Sequence, residues 1–345
     1  MNRKVLAFGE IMLRLTPQNF RRFTQARSFN AIYGGAEANV AISLANFGIP
    51  VKYVTKLPEN EIGDACVQVL RQFGVNTDNI IRGGDRIGIY YLEMGSSVRP
   101  SKVIYDRAHS SISEAKVEDF NWDLLFEDIS WFHFTGISPA ITQNLADICH
   151  EAVKTAKKND IIVSCDLNYR NKLWLYGKHP IDIMPELIKY CDVAIGNEED
   201  ADKVLGIKAP ESNVASGKVE AENYRSVVEE MVRQYPNLEK VAITLRGSIS
   251  ASYSTWSAIL YDGKKMYIAP QYEITPIVDR VGGGDSFVGG LIYGLLTYKN
   301  DLQTALNFAV AASCLKHTIV GDFNLVSIDE VLKLMSGDTS GRVLR

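Results

Sequence analysis

The stretch Asp279-Arg280-Val281-Gly282-Gly283-Gly284-Asp285-Ser286-Phe287 carries the residue types best suited to chemistry. Three glycines in a row let a backbone turn sharply enough for several N–H groups to converge on one anion. Phe287, Leu291 and Leu295 recur at i, i+4 and i+8, so a helix should open at the glycines and aim its unpaired amides and positive dipole end at the same point. That is a seat for a phosphate. Asp285 would repel a resting anion there, and its useful role is to take a proton from a hydroxyl that attacks the phosphoryl group. Two other readings stay open on this stretch alone. One is a tight turn with Asp285 as a helix cap. The other is dinucleotide binding, although the spacing is not G-x-G-x-x-G and no lysine follows the glycines as GxxxxGK[ST] requires.

Other polar clusters sit where strands should end. The segment Met266 to Val278 before the glycines reads as strand, and Val5 to Leu13 as a first strand. Gly34-Gly35-Ala36-Glu37-Ala38-Asn39 enters a helix ending near Gly48, and its small residues with Asn39 suit close approach of a polyol, although alone the stretch also reads as a helix start with a small-residue packing face. Val51 to Leu57 reads as strand and Gly63 to Phe73 as helix. From Ile129 onward strands and helices alternate: Trp131–Phe134, a helix over 143–158, Ile161–Asp166 followed by Leu167-Asn168-Tyr169-Arg170, Val193–Gly196 followed by Asn197-Glu198-Glu199-Asp200, and Val241–Leu245 followed by Arg246-Gly247. Open parallel sheets bind ligands outside the carboxyl ends of their strands, so these clusters should share one crevice. Residues 83–111 break the alternation with two β-rich segments, Ile87–Glu93 and Lys102–Arg107, separated by Gly95 to Pro100. The expectation is one α/β domain over 1–345 with a small sheet, from about 12–30 and 83–111, standing off the main one as a lid. The polar segment Lys208 to Glu222 reads as a surface loop.

The length allows one large core rather than several small domains. A net charge of −4 lacks the basic face that a nucleic acid or an anionic membrane surface needs, which leaves a small molecule as partner. Five scattered cysteines form no C-x-x-C pair, which favours a reducing cytoplasm over a disulfide or zinc framework. Glu10 interrupts the apolar N-terminal run, so that run is a strand rather than a signal peptide. No run approaches a membrane span.

Taken together and in order, the Gly34–Asn39 and Asp279–Gly290 motifs make the chain resemble the PfkB (ribokinase-like) carbohydrate kinases from about residue 4 to 335. The resemblance implies an α/β Rossmann-like three-layer sandwich with a β-sheet lid, ATP as donor, Mg²⁺, an open question of K⁺, and homo-oligomers formed through the lid. It makes Asp285 the base and the Gly282, Gly283 and Gly284 amides the anion hole. It assigns Gly34, Gly35 and Asn39 to the sugar, and Asn197, Thr244, Arg246, Gly247, Gly282, Gly284 and Asn307 to the nucleotide. Asp200 would reach Mg²⁺ through water, although Asn197-Glu198-Glu199-Asp200 departs from the family's N-x-x-E, and Arg280 stands where a small or hydroxyl residue is usual. Within the family the chain is most similar to kinases of the sugar acid 2-keto-3-deoxygluconate, with Tyr90, Tyr105, Arg107 and Arg170 as substrate residues. Arginine suits a carboxylate because it offers planar bidentate donors. The alternatives are a kinase of a neutral sugar such as fructose or ribose, and a non-catalytic sugar-binding regulator.

Overall fold

The structure, a computed structural model, describes residues 3–197, 199–208, 221–338 and 341. A nine-stranded sheet runs in the lateral order Met266–Ile268, Tyr253–Tyr261, Lys240–Ser250, Val193–Gly196, Ile162–Asp166, Trp131–Thr135, Val5–Phe8 and Val51–Val54, with Tyr272–Ile274 also pairing to Tyr253–Tyr261. The six strands from Lys240–Ser250 to Val51–Val54 are mutually parallel, whereas Tyr253–Tyr261 pairs antiparallel to its neighbours. Successive side chains of a strand face opposite ways, and both faces here are apolar and covered. Val5 and Ala7 join a core shared with the helices Ala36–Asn46, Gly283–Tyr298 and Leu302–Lys316, while Leu6 and Phe8 join one shared with Gln143–Lys158, Pro180–Ile188 and Arg225–Gln234. This is the expected three-layer α/β sandwich.

A separate four-stranded sheet has the order Phe29–Gly34, Met12–Pro17, Ile89–Glu93, Lys102–Asp106. Met12, Tyr90 and Leu92 form its small core, against which Val281 packs. The apolar N-terminal run is therefore two strands in two sheets, because the chain leaves the main sheet at Gly9-Glu10-Ile11. Glu10 is the reason the break is tolerated, since its buried carboxylate is paired with Arg107 and accepts Ser110 Oγ at 2.8 Å. The segment read as one strand from Met266 to Val278 is two three-residue strands, Met266–Ile268 and Tyr272–Ile274. Of the polar segment Lys208 to Glu222, residues 209–220 lie outside the described residues, and Ala221–Tyr224 is a 3-10 turn. Among the described residues, no helix is long and apolar enough to cross a membrane.

Candidate active site

The helix Gly283–Tyr298 starts at the glycine turn, with Gly282 as its cap in the left-handed region at φ 80°. A Cβ on Gly282 would also lie 1.9 Å from the carbonyl oxygen of Asp322, so this position takes no larger residue. On the side of Gly284 that a Cβ would occupy, nothing lies within 4 Å, which leaves the turn open to the cleft. Asp285, in the first helical turn, is not the cap. Its Oδ2 accepts Asn39 Nδ2 at 2.6 Å, which joins the two glycine motifs across 246 residues. Burial pushes its carboxyl up to about 6, against the hydrogen bond from Asn39 and the positive charge of Arg170. A carboxylate poised near neutrality is matched to general-base work.

A cleft of about 400 Å³ lies over this turn. It is bounded by the carboxyl ends of the parallel strands, as the open-sheet rule requires: Asp166 and Asn168, Gly196, Asn197 and Asp200, Thr244 and Arg246 all reach it. Gly34, Gly35, Asn39, Tyr90, Tyr105 and Arg170 line it too, with Gly282, Gly283, Gly284 and Asp285. Arg170 is exposed, with Nη1 donating to the Tyr169 carbonyl at 3.0 Å. Arg246 lies with its guanidinium carbon 5.3 Å from the Trp256 ring centroid. The Arg280 guanidinium donates to the carbonyls of Ser250 and Ala251, at 3.2 and 2.9 Å.

Three expected site residues fall elsewhere among the described lining. Arg107 is 8 % exposed and turned away from the cleft, because Glu10 needs a counter-ion once the first strand buries it. Gly247 continues the strand Lys240–Ser250 beyond the cleft wall. Asn307 Oδ1 accepts Gln303 Nε2 at 2.9 Å on the helix Leu302–Lys316. Glu198, within the expected metal-water motif, lies outside the described residues. Asp200 is 2 % exposed, and its two oxygens accept the amides of Tyr169 at 2.9 Å and Asn197 at 2.8 Å.

Other residues were not singled out from sequence. Asp166 lines the cleft and burial raises its carboxyl well above the ordinary range, with Asp200 and Asp285 adding to the effect. Asn168 Oδ1 is buried without a partner among the described residues. Glu37 accepts Thr135 N at 3.1 Å and Thr135 Oγ1 at 2.6 Å, and burial pushes it up to about 7. Arg14 bridges Asp279 and Asp322. The strand-end cluster signalled Asp166 and Asn168, and Glu37 and Asp279 stand inside the two glycine motifs, whereas Arg14 gave no signal.

The match to known proteins covers nearly the whole chain. Residues 2–325 match the pfkB family carbohydrate kinase profile. The chain belongs to that family. Carbohydrate kinases of the pfkB family are phosphotransferases, so this chain is a sugar kinase. It is similar to a 2-dehydro-3-deoxygluconokinase of known structure from Thermotoga maritima, at 51 % identity over 97 % of this chain and 99 % of that one, with a TM-score of 0.91. A pfkB family carbohydrate kinase structure from Listeria grayi is 32 % identical over 96 % and 99 %, with a TM-score of 0.88. A 2-dehydro-3-deoxygalactonokinase from Haloferax volcanii is 32 % identical over 99 % of both chains.

Proposed function

We propose that this kinase transfers the γ-phosphoryl group of ATP to 2-keto-3-deoxygluconate (2-dehydro-3-deoxygluconate), giving the 6-phosphate. The observation that carries the reading is Asp285, held by Asn39 at the start of the Gly283–Tyr298 helix, in a cleft whose wall presents Arg170. Asp285 takes the proton of the sugar's terminal hydroxyl as that oxygen attacks the γ-phosphorus. The bond from phosphorus to the bridging oxygen breaks, and ADP departs with the electron pair. The amides of Gly282 and Gly284 face the equatorial oxygens, where charge accumulates in the transition state, and the Gly283 N–H, which donates to the Arg280 carbonyl at 3.3 Å, joins them once phosphate is bound. Arg170 orients the sugar's carboxylate. Tyr90 and Tyr105 from the small sheet cover the sugar, and Thr244 and Arg246 border the donor end of the cleft.

The residues present fit Mg²⁺. Asp166, Asn168, Asn197 and Asp200 supply oxygen donors at the strand ends, the unpartnered Asn168 Oδ1 among them. Among the described residues no group of three or more His, Cys, Asp or Glu forms a cage, which suits an ion held largely by phosphates and water. Each Asp200 oxygen accepts one amide, and this carboxylate would hold Mg²⁺ through water. When bound, Mg²⁺ neutralises charge on the phosphates. Two copies pairing through the small sheet, whose Phe29 and Ile104 are exposed, and a reducing cytoplasm for five free cysteines complete the reading.

A second reading, the galacto epimer of the same sugar acid, is favoured by the likeness to the Haloferax volcanii protein. A coupled assay for ADP release across both sugar acids, fructose and ribose tests the proposal. The expected result is the highest kcat/KM for 2-keto-3-deoxygluconate. A higher value for a neutral sugar would overturn the sugar-acid reading.

A further inference from the structure

The least expected feature of the molecule is a charge cluster beneath the cleft. Arg14, on the small-sheet strand Met12–Pro17, is 1 % exposed and uses all three guanidinium nitrogens. Nη2 donates to Asp279 Oδ2 and Nη1 to Asp322 Oδ1, each at 2.6 Å, and Nε donates to Thr16 Oγ1 at 2.9 Å. Asp279 opens the glycine turn. Its Oδ1 accepts Val281 N at 3.1 Å, and its Oδ2 also accepts Gly321 N at 3.1 Å. Asp322 lies against the turn from beneath, its carbonyl oxygen filling the place where Gly282 has no side chain. The other Asp322 oxygen accepts the hydroxyl of Tyr90, on the neighbouring small-sheet strand. Lys316, fully buried, closes the cluster by donating to the carbonyls of Asp279 and Ile319, both at 3.3 Å.

Each end of this chain of contacts touches a different part of the reaction. Tyr90 and Tyr105 on the small sheet border the sugar side of the cleft, and Gly282, Gly283 and Gly284 border the phosphate side. Beside the Tyr90 hydroxyl and the packing of Val281, Arg14 is the charged link between them, since it belongs to the sheet but its charge is shared by the two carboxylates that shape the turn. A planar guanidinium can hold both carboxylates at once in one orientation, whereas an ammonium is a point charge without that fork. Resting on the kinase reading above, we propose that Arg14 is a positioning residue that locks the small sheet to the phosphate-binding turn, so that seating of the sheet on the sugar sets the turn for transfer. It touches neither substrate. Its loss leaves two buried carboxylates facing each other across the turn, one of which must take up a proton or shift.

The test compares Arg14→Lys and Arg14→Met with the wild-type protein, using whichever acceptor the wild type phosphorylates best. Failure of the substrate reading shows in the wild-type panel alone and leaves this comparison usable. The expected result is that Arg14→Met lowers kcat at least tenfold and raises KM for the sugar, with KM for ATP within threefold of wild type. Arg14→Lys should recover part of kcat, because it returns the charge without the fork. A purely structural arginine would instead lower the thermal midpoint and leave kcat of the folded fraction unchanged. A folded Arg14→Met with kcat within threefold of wild type, or an Arg14→Lys no more active than Arg14→Met, would overturn the proposal. So would failure of both variants to fold, since the arginine's role would then be structural.

Discussion

Asp285 and Asn39 show how a side chain is prepared for its reaction before substrate arrives. Burial lifts the carboxyl to about 6, so the proton-accepting form dominates above that pH and is lost below it. The acid limb of kcat/KM should therefore fall tenfold per pH unit below about 6, a limb near 4 being the contrary result. Replacing the base typically costs about 10²–10⁴-fold in rate. Asp285→Asn should lose that much kcat with ATP affinity within a few-fold, and near-wild-type turnover would remove Asp285 from its role. The two arginines expected to hold the carboxylate now separate. Arg170→Ala should raise KM for the sugar acid roughly ten- to a hundredfold, as loss of a charge-assisted hydrogen bond worth about 1.5–3 kcal/mol would. Arg107→Ala should act on stability instead, by about 3–5 kcal/mol, because it strands the buried Glu10 carboxylate. Melting curves beside kinetics for both variants distinguish these outcomes.

At the scale of elements, the small sheet turns Met12, Tyr90, Val103 and Tyr105 to the cleft. If it closes over the sugar, the amides of Met12–Pro17, Ile89–Glu93 and Lys102–Asp106 should exchange hydrogen more slowly when sugar is added, and unchanged exchange at saturation would count against a moving sheet. Much of this architecture was legible. Alternation of strand and helix after Ile129 placed three parallel strands to within a residue, because their apolar runs are nearly continuous, whereas the expected Val241–Leu245 runs on through Arg246 and Gly247 to Ser250. The β-rich interruption marked the second sheet. Where the reading missed, one-dimensional pattern carried no signal. Glu10 marks an interruption of the apolar run but not a change of sheet there, since its partner Arg107 lies 97 residues away. Arg14 looks like any polar residue of an alternating strand, and its partners lie 265 and 308 residues on. The residues of the glycine motifs were found because their spacing is local; the charges that support them were not, because their partners are remote.

Across the whole molecule, two buried acids hold protons: Asp285 in the cleft lining, and Glu37 outside that lining on Thr135. Glu37, at about 7 from an ordinary 4.5, and Asp285, at about 6 from 3.8, bind protons more tightly folded than unfolded. The stability this gives is complete below the unfolded values and is lost as pH rises through about 6 to 7. At about 1.4 kcal/mol per unit, the Glu37 shift alone corresponds to about 3 kcal/mol. The ligand-free protein should melt at a lower temperature at pH 8 than at pH 5, and Glu37→Gln should flatten that dependence. An unaltered slope in that variant would show that the proton is not held at Glu37. Arg14 leaves the ribosome early, but its partner Asp322 is made only after almost every strand and helix is complete. The proton acceptor Asp285 likewise follows its partner Asn39 by 246 residues. A nascent chain that has not reached Asp285 therefore lacks the base, and one that has not reached Asp322 lacks a carboxylate partner of Arg14.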